Sequence, residues 1–177
     1  MKANASDLEG ASPQPKDCGI ARAILVAGLI AGTLDISAAF ISTYFFFGAG
    51  PAVVLRFISS GAFGHASFSG GVPMALVGLG FHFGIAFAWT TLFMFAARRA
   101  PALVRNLALA ATGYGILVWL VMNLGVIPLS RIARGPFRPL QVALGILYLI
   151  LFIALPNGIV ARRFFKRHPE RETRPAA

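Results

Sequence analysis

Four long apolar runs alternate with short polar segments along the chain. Each is long enough, at about 1.5 Å per helical residue, to cross a hydrocarbon layer of roughly 30 Å. They predict helix one over about 21–47, helix two over about 73–97, helix three over about 106–129 and helix four over about 140–161. Tyr44-Phe-Phe-Phe47 closes the first run with aromatic rings suited to a membrane–water boundary, and Gly48-Ala-Gly-Pro51 breaks it. Pro73 suits the first turn of helix two, Pro128 lies near the end of helix three, and Pro156-Asn-Gly158 predicts a bend late in helix four.

Between helices one and two, Ala52-Val-Val-Leu-Arg56-Phe-Ile58 is apolar with one charge and too short to span. A Gly/Ser-rich stretch, 59–71, follows it and contains His65. The pattern predicts a short interfacial helix with Arg56 reaching lipid headgroups, a re-entrant segment being the alternative. The fold class is therefore all-α, with four transmembrane helices and a short interfacial helix in the first outer loop. Residues 1–19, with Pro13, Pro15 and mixed charges, read as a disordered tail. The transmembrane domain covers 20–163 and a basic tail covers 164–177. The first apolar run is too long for a signal-peptide core, so helix one is expected to be an uncleaved anchor.

Inside helix one, Gly28, Gly32, Asp35, Ala39 and Ser42 fall on one narrow arc, with Ile30, Leu34 and Ile41 opposite. Such a helix turns its small face to protein and its large apolar face to lipid. Asp35 is the only acidic residue between Asp17 and Glu170. An ionisable group at bilayer depth is expensive, which makes Asp35 the first candidate for function.

Composition agrees with the pattern: 57% of the 177 residues are hydrophobic and only 12% are charged, where a soluble domain carries about 25%. The net charge of +10 does not point to nucleic acid, because the basic residues sit at the ends of apolar segments. Membrane lipids are the expected partners, with Arg98, Arg99, Arg162, Arg163, Lys166 and Arg167 joining Arg56 at the headgroups. Three Lys/Arg residues precede or open helix one, three lie in the helix 2–3 turn and six follow helix four. Four lie on the other side: Arg56, Arg131, Arg134 and Arg138. That imbalance places both termini in the cytoplasm. The single cysteine, Cys18, excludes an intrachain disulfide and reads as a spare juxtamembrane thiol.

Counted from the basic edges, Asp35, His82 and Tyr148 lie about 20–24 Å deep and Asn123 about 27 Å. Ala75, Gly78 and Ala86 share the face of His82, and Gly80 and Gly84 flank it with a small-xxx-small spacing matching Gly28 and Gly32. Close approach of helices one and two would bring Asp35 to His82, with Asn123 and Tyr148 as neighbours. Two readings follow: a polar staple holding the bundle, or a relay for protons or cations. No Cys/His metal cluster, phosphate-binding Gly-rich loop, carboxylate pair or nucleophile elbow occurs, so neither metal, cofactor nor enzymatic activity is expected.

Gly32-Thr-Leu-Asp35, Leu79-Gly-Phe-His82-Phe, Tyr114-Gly115, Leu120-Val-Met-Asn123 and Ile127-Pro-Leu-Ser130, in that order, resemble a widespread family of small uncharacterised bacterial four-helix inner-membrane proteins of unknown function. The resemblance covers about Ile20 to Arg163. It implies four helices with the acid, the histidine and the Val-Met-Asn segment as landmarks, and it transfers no activity. The expectation is thus a non-enzymatic inner-membrane protein organised by Asp35, His82 and Asn123. The alternatives are a small proton- or cation-linked transporter or channel component, or an accessory subunit that meets a homo-oligomer or membrane-protein partner through its small-residue faces.

Overall fold

The computed structural model describes residues 15–132 and 138–167, and the side chains among them from Gly19 to Lys166. Expectations for Cys18, Arg134, the Arg167 side chain and residues 1–14 and 168–177 fall outside this description. Among the described residues the chain is helical throughout, with no strand. The elements are α1 (Pro15–Phe47), α2 (Pro51–Phe63), α3 (Ala66–Ser69), α4 (Gly71–Arg99), α5 (Ala102–Arg105) and α6 (Leu107–Leu120). A π-helical segment, π1 (Val121–Val126), leads into α7 (Ile127–Leu129). Then come α8 (Pro139–Tyr148), a second π-helical segment π2 (Leu149–Ala154), and α9 (Leu155–Arg167). Four stretches are long and apolar enough to span a bilayer: Gly19–Phe47, Gly71–Arg99, Leu107–Leu129 and Pro139–Lys166. The chain is a multi-pass membrane protein with the expected four helices and the expected short apolar helix, α2.

Local chemistry sets the boundaries. Gly48 takes φ 63° at the end of α1, donating its N–H to the Tyr44 carbonyl, and Pro51 opens α2 where its missing N–H costs nothing. Asn106 caps helix three, its side-chain oxygen accepting from Leu109 N at 3.2 Å. The helix-one face predicted for lipid is exposed, with Leu25, Leu29, Ile30, Leu34 and Ile41 all outward. Its small face is buried at Gly28 and Gly32, which lie beneath the rings of Phe87 and Phe83 that a Cβ at either glycine would strike, and half-buried at Asp35, Ala39 and Ser42.

Two boundaries differ from expectation. The helix of α1 starts at Pro15, within the stretch expected to be a tail, and α9 runs through the basic segment to Arg167. The cause of the second is Phe164 and Phe165, which sit among the basic residues and have apolar surface to bury. They pack against a core of Ala23, Phe93, Met94, Ala97 and Ala161 at this end of the bundle. Arg22 and Arg163 line one groove here, and Arg105, Arg162 and Lys166 another, so the basic residues from separate helices gather at one end.

Near Pro156, where a bend is expected, the helix widens into a π-helical turn. The π2 turn ends two residues before Pro156, just as π1 ends two residues before Pro128. A proline inside a helix lacks a donor and crowds the carbonyl four residues back. Widening the preceding turn to an i→i+5 pattern moves that carbonyl away, as in the bonds from Ile127 N to Met122 O and from Leu155 N to Ile150 O.

Candidate functional site

Helix α4 and helix three meet toward the basic end of the bundle. The Tyr114 hydroxyl donates to the Trp89 carbonyl at 2.5 Å, and the Tyr114 ring packs edge-on against Phe93 with centroids 4.8 Å apart. Phe93 and Met94 are wholly buried below this contact. Toward the opposite end the two helices are bridged from above. There α2 lies against α4, with the Leu55 backbone so close to Gly78 that a Cβ would overlap its carbonyl oxygen, and Phe63 stacks on Phe81 at 6.3 Å. Arg131 N donates to Gly61 O at 3.0 Å, tying the segment after α7 to α2.

Between floor and bridge lies a cavity of about 540 Å³. Its back wall holds Asp35 of α1 with Leu149 and Ile153 of π2; its sides are α4 and helix three, and Phe57, Ile58 and Ala62 of α2 close its top. Gly80, Phe81, Gly84 and Ile85 line it and are also exposed on the outer surface of α4. The cavity therefore opens sideways at the depth of the apolar spans, while its basic end is closed by packed rings. Gly80 and Gly84 have a different role from the one their spacing suggested. A Cβ at either would meet nothing within 4 Å, so they hollow the cavity wall rather than seat a neighbouring helix.

Asp35 and His82 both line this space and are close enough for their charges to interact. No hydrogen bond or ion pair joins them. His82 Nε2 instead donates to the Gly32 carbonyl oxygen at 2.9 Å, on the same helix as Asp35 and one turn away. Among the described residues the half-buried Asp35 carboxylate has no hydrogen-bond partner. The other two predicted members of the polar core lie outside the cavity wall. Asn123 Nδ2 donates to Trp119 O at 2.9 Å within its own helix, supplying a donor where π1 interrupts the regular ladder. Tyr148 packs its ring on Phe152 at 6.0 Å. The two π segments contribute to the cavity through Met122, Val126, Leu149 and Ile153 instead.

The residues expected at headgroups divide. Arg56 gives Nε–H to Ala52 O and an Nη1–H to Phe68 O, both at 3.1 Å, bracing α2 on α3. Arg98 and Arg99 lie in the last turn of α4, and Arg162, Arg163 and Lys166 on α9 with the basic end. One pair was not singled out from the sequence. Thr90 donates to the Asn157 side-chain oxygen at 3.1 Å, both residues wholly inaccessible between α4 and α9. The signal was present in that Thr90 shares the buried stripe of Ala86, Phe93 and Ala97. No group of three or more His, Cys, Asp or Glu residues placed to hold a metal occurs among the described residues.

Comparison with protein-family models, with curated proteins and with solved structures gives no match.

Proposed function

We propose that the chain is a non-enzymatic protein of a bacterial inner membrane, both termini cytoplasmic, that binds a small apolar molecule taken up sideways from the lipid. It would belong to the family of small four-helix inner-membrane proteins that its ordered motifs resemble. One observation carries the binding role: a cavity of about 540 Å³ opens laterally at span depth, with apolar walls and Asp35 and His82 on its lining. Concave, mostly apolar cavities of several hundred cubic ångströms with a few converging polar groups are the usual form of small-molecule sites. The packed floor of Phe93 and Met94 favours a binding pocket over a continuous aqueous path.

Native mass spectrometry of protein released directly from membranes tests the role. The wild type should carry a co-purifying small molecule that is absent from Gly84→Leu, whose added side chain fills the hollow. Equal small-molecule content in the two proteins would defeat the proposal.

A second reading, proton- or cation-linked transport, draws on the shared position of Asp35 and His82 on one wall. It requires a flux in proteoliposomes that Asp35→Asn abolishes while the fold persists.

A further inference from the structure

The charge of Asp35 restricts what the cavity can hold. We infer that its occupant is a lipophilic monocation, with a quaternary or protonated centre against the Asp35 carboxylate and apolar substituents along the walls. This rests on the binding role proposed above and specifies its ligand chemistry.

Among the described residues no lysine or arginine lines the cavity. Between Arg22 and Arg98 the only basic side chain besides the histidines is Arg56, and its guanidinium is spent on the Ala52 and Phe68 carbonyls. His82, the nearest candidate, directs Nε2 at Gly32 O rather than at the carboxylate. Among the described residues Asp35 is thus a lone acid on the wall of an apolar cavity, with no positive side chain bonded to it. As an anion such a group is costly in hydrocarbon, and a cationic occupant would supply the counter-charge that no bonded side chain gives it. An anionic occupant would meet no lysine or arginine among the described lining residues.

The rest of the wall suits the same chemistry. Phe57, Phe81 and Trp89 line the space, and aromatic faces attract desolvated cations. The mouth between α4 and helix three opens onto the apolar surface, so a cation arriving this way must itself partition into lipid. A strongly hydrated ion such as Na⁺ would have to shed its water with one carboxylate and no cage of oxygens to replace it.

Trp89 offers a local reporter. The chain has two tryptophans, Trp89 on the cavity wall and Trp119 outside its lining. A Trp119→Phe protein in lipid nanodiscs therefore reports from the site alone. Titration with tetraphenylphosphonium should change Trp89 fluorescence saturably, above the response of a soluble tryptophan with empty nanodiscs. Tetraphenylsilane, its uncharged isostere, should bind more weakly. Asp35→Asn should weaken tetraphenylphosphonium binding by about tenfold or more, Asp35→Glu should retain most of it, and neither should alter tetraphenylsilane binding. Thermal unfolding of each variant separates a lost site from a lost fold. If both probes bind alike and Asp35→Asn changes neither, the cationic assignment is overturned while the binding role stands. If neither probe binds the wild type, the cationic assignment fails, and the co-purifying small molecule alone decides the binding role.

Discussion

His82 donates through Nε2 to the carbonyl oxygen of Gly32 at 2.9 Å, linking α4 to α1 through a backbone atom rather than through the acid one turn beyond it. In an α-helix that carbonyl already accepts the N–H four residues on, so the imidazole uses its second lone pair. The histidine therefore links the two helices without bonding the acid, and Asp35 is left to the cavity. His82→Phe should lower stability by about 0.6–1 kcal/mol, the range usual for an interhelical hydrogen bond in a membrane. His82→Gln should recover part of the loss. Reversible unfolding in mixed micelles measures both, and equal stability of the phenylalanine variant and the wild type would remove the linking role.

Glycines that look alike in sequence should respond in opposite ways to alanine. At Gly78 a methyl group would overlap the Leu55 carbonyl, a contact with backbone that cannot rotate away. Gly78→Ala should cost about 1–3 kcal/mol or displace α2. At Gly80 and Gly84 the methyl group meets open space, and the same change should be neutral or stabilise by about 0.5–1 kcal/mol through helix propensity. Melting temperatures of the three single variants give the comparison, and a common response would contradict the packing described.

The Thr90–Asn157 pair invites a double-mutant cycle with Thr90→Ala and Asn157→Ala. Its coupling should be about 0.6 kcal/mol and under roughly 2 kcal/mol, because the hydroxyl has an alternative acceptor in its own helix. The single Asn157→Ala change should cost more than the coupling, since it also empties a wholly buried volume. Additive single effects would show that the 3.1 Å contact contributes nothing of its own.

Orientation is accessible through the single native cysteine. A membrane-impermeant maleimide should leave Cys18 unlabelled in intact spheroplasts and label it after permeabilisation. In a Cys18→Ser background, His65→Cys, at an exposed position between α2 and α3, should label from outside. The reverse pattern would invert the topology.

The two proline-linked wide turns can be probed one at a time. Pro156→Ala removes the ring that crowds the preceding turn and restores a donor, so amide exchange across 149–155 should slow as the segment tightens. Unchanged exchange would mean that packing against α6, where Gly115 admits the Ile150 backbone, fixes π2 without the proline.

The sequence showed the spans because apolar length is a local property, and it showed the small face of helix one because 3.6-residue periodicity needs no partner. Depth counting set Asp35 and His82 at one level, and the fold places both on one cavity. It could not tell which atom His82 would choose, since the Gly32 carbonyl carries no side-chain signature. Asn123, counted slightly further out, lies off the cavity wall, in the π1 turn where its helix departs from regular periodicity. Gly80 and Gly84 had the spacing of a helix contact, and only the position of the neighbouring helix distinguishes a contact from a hollow. The role of α2 was hidden for the same reason, as thirteen residues cannot announce which groove they will cover.

A π turn is what remains when one residue is inserted into an α-helix, and the widened turn absorbs the extra residue locally. Deleting one residue from π1 or π2 would return a regular α-helix and leave what lies beyond close to its present azimuth. The same deletion in the regular stretch before either would turn everything beyond it by about 100°. Before π1 that rotation would carry Ile127 and Ser130 off the cavity wall. Before π2 it would swing Asn157 away from Thr90 and Phe164 away from α1. Loss of a single residue should thus be tolerated better inside these two wide turns than in the α-helical stretches that precede them.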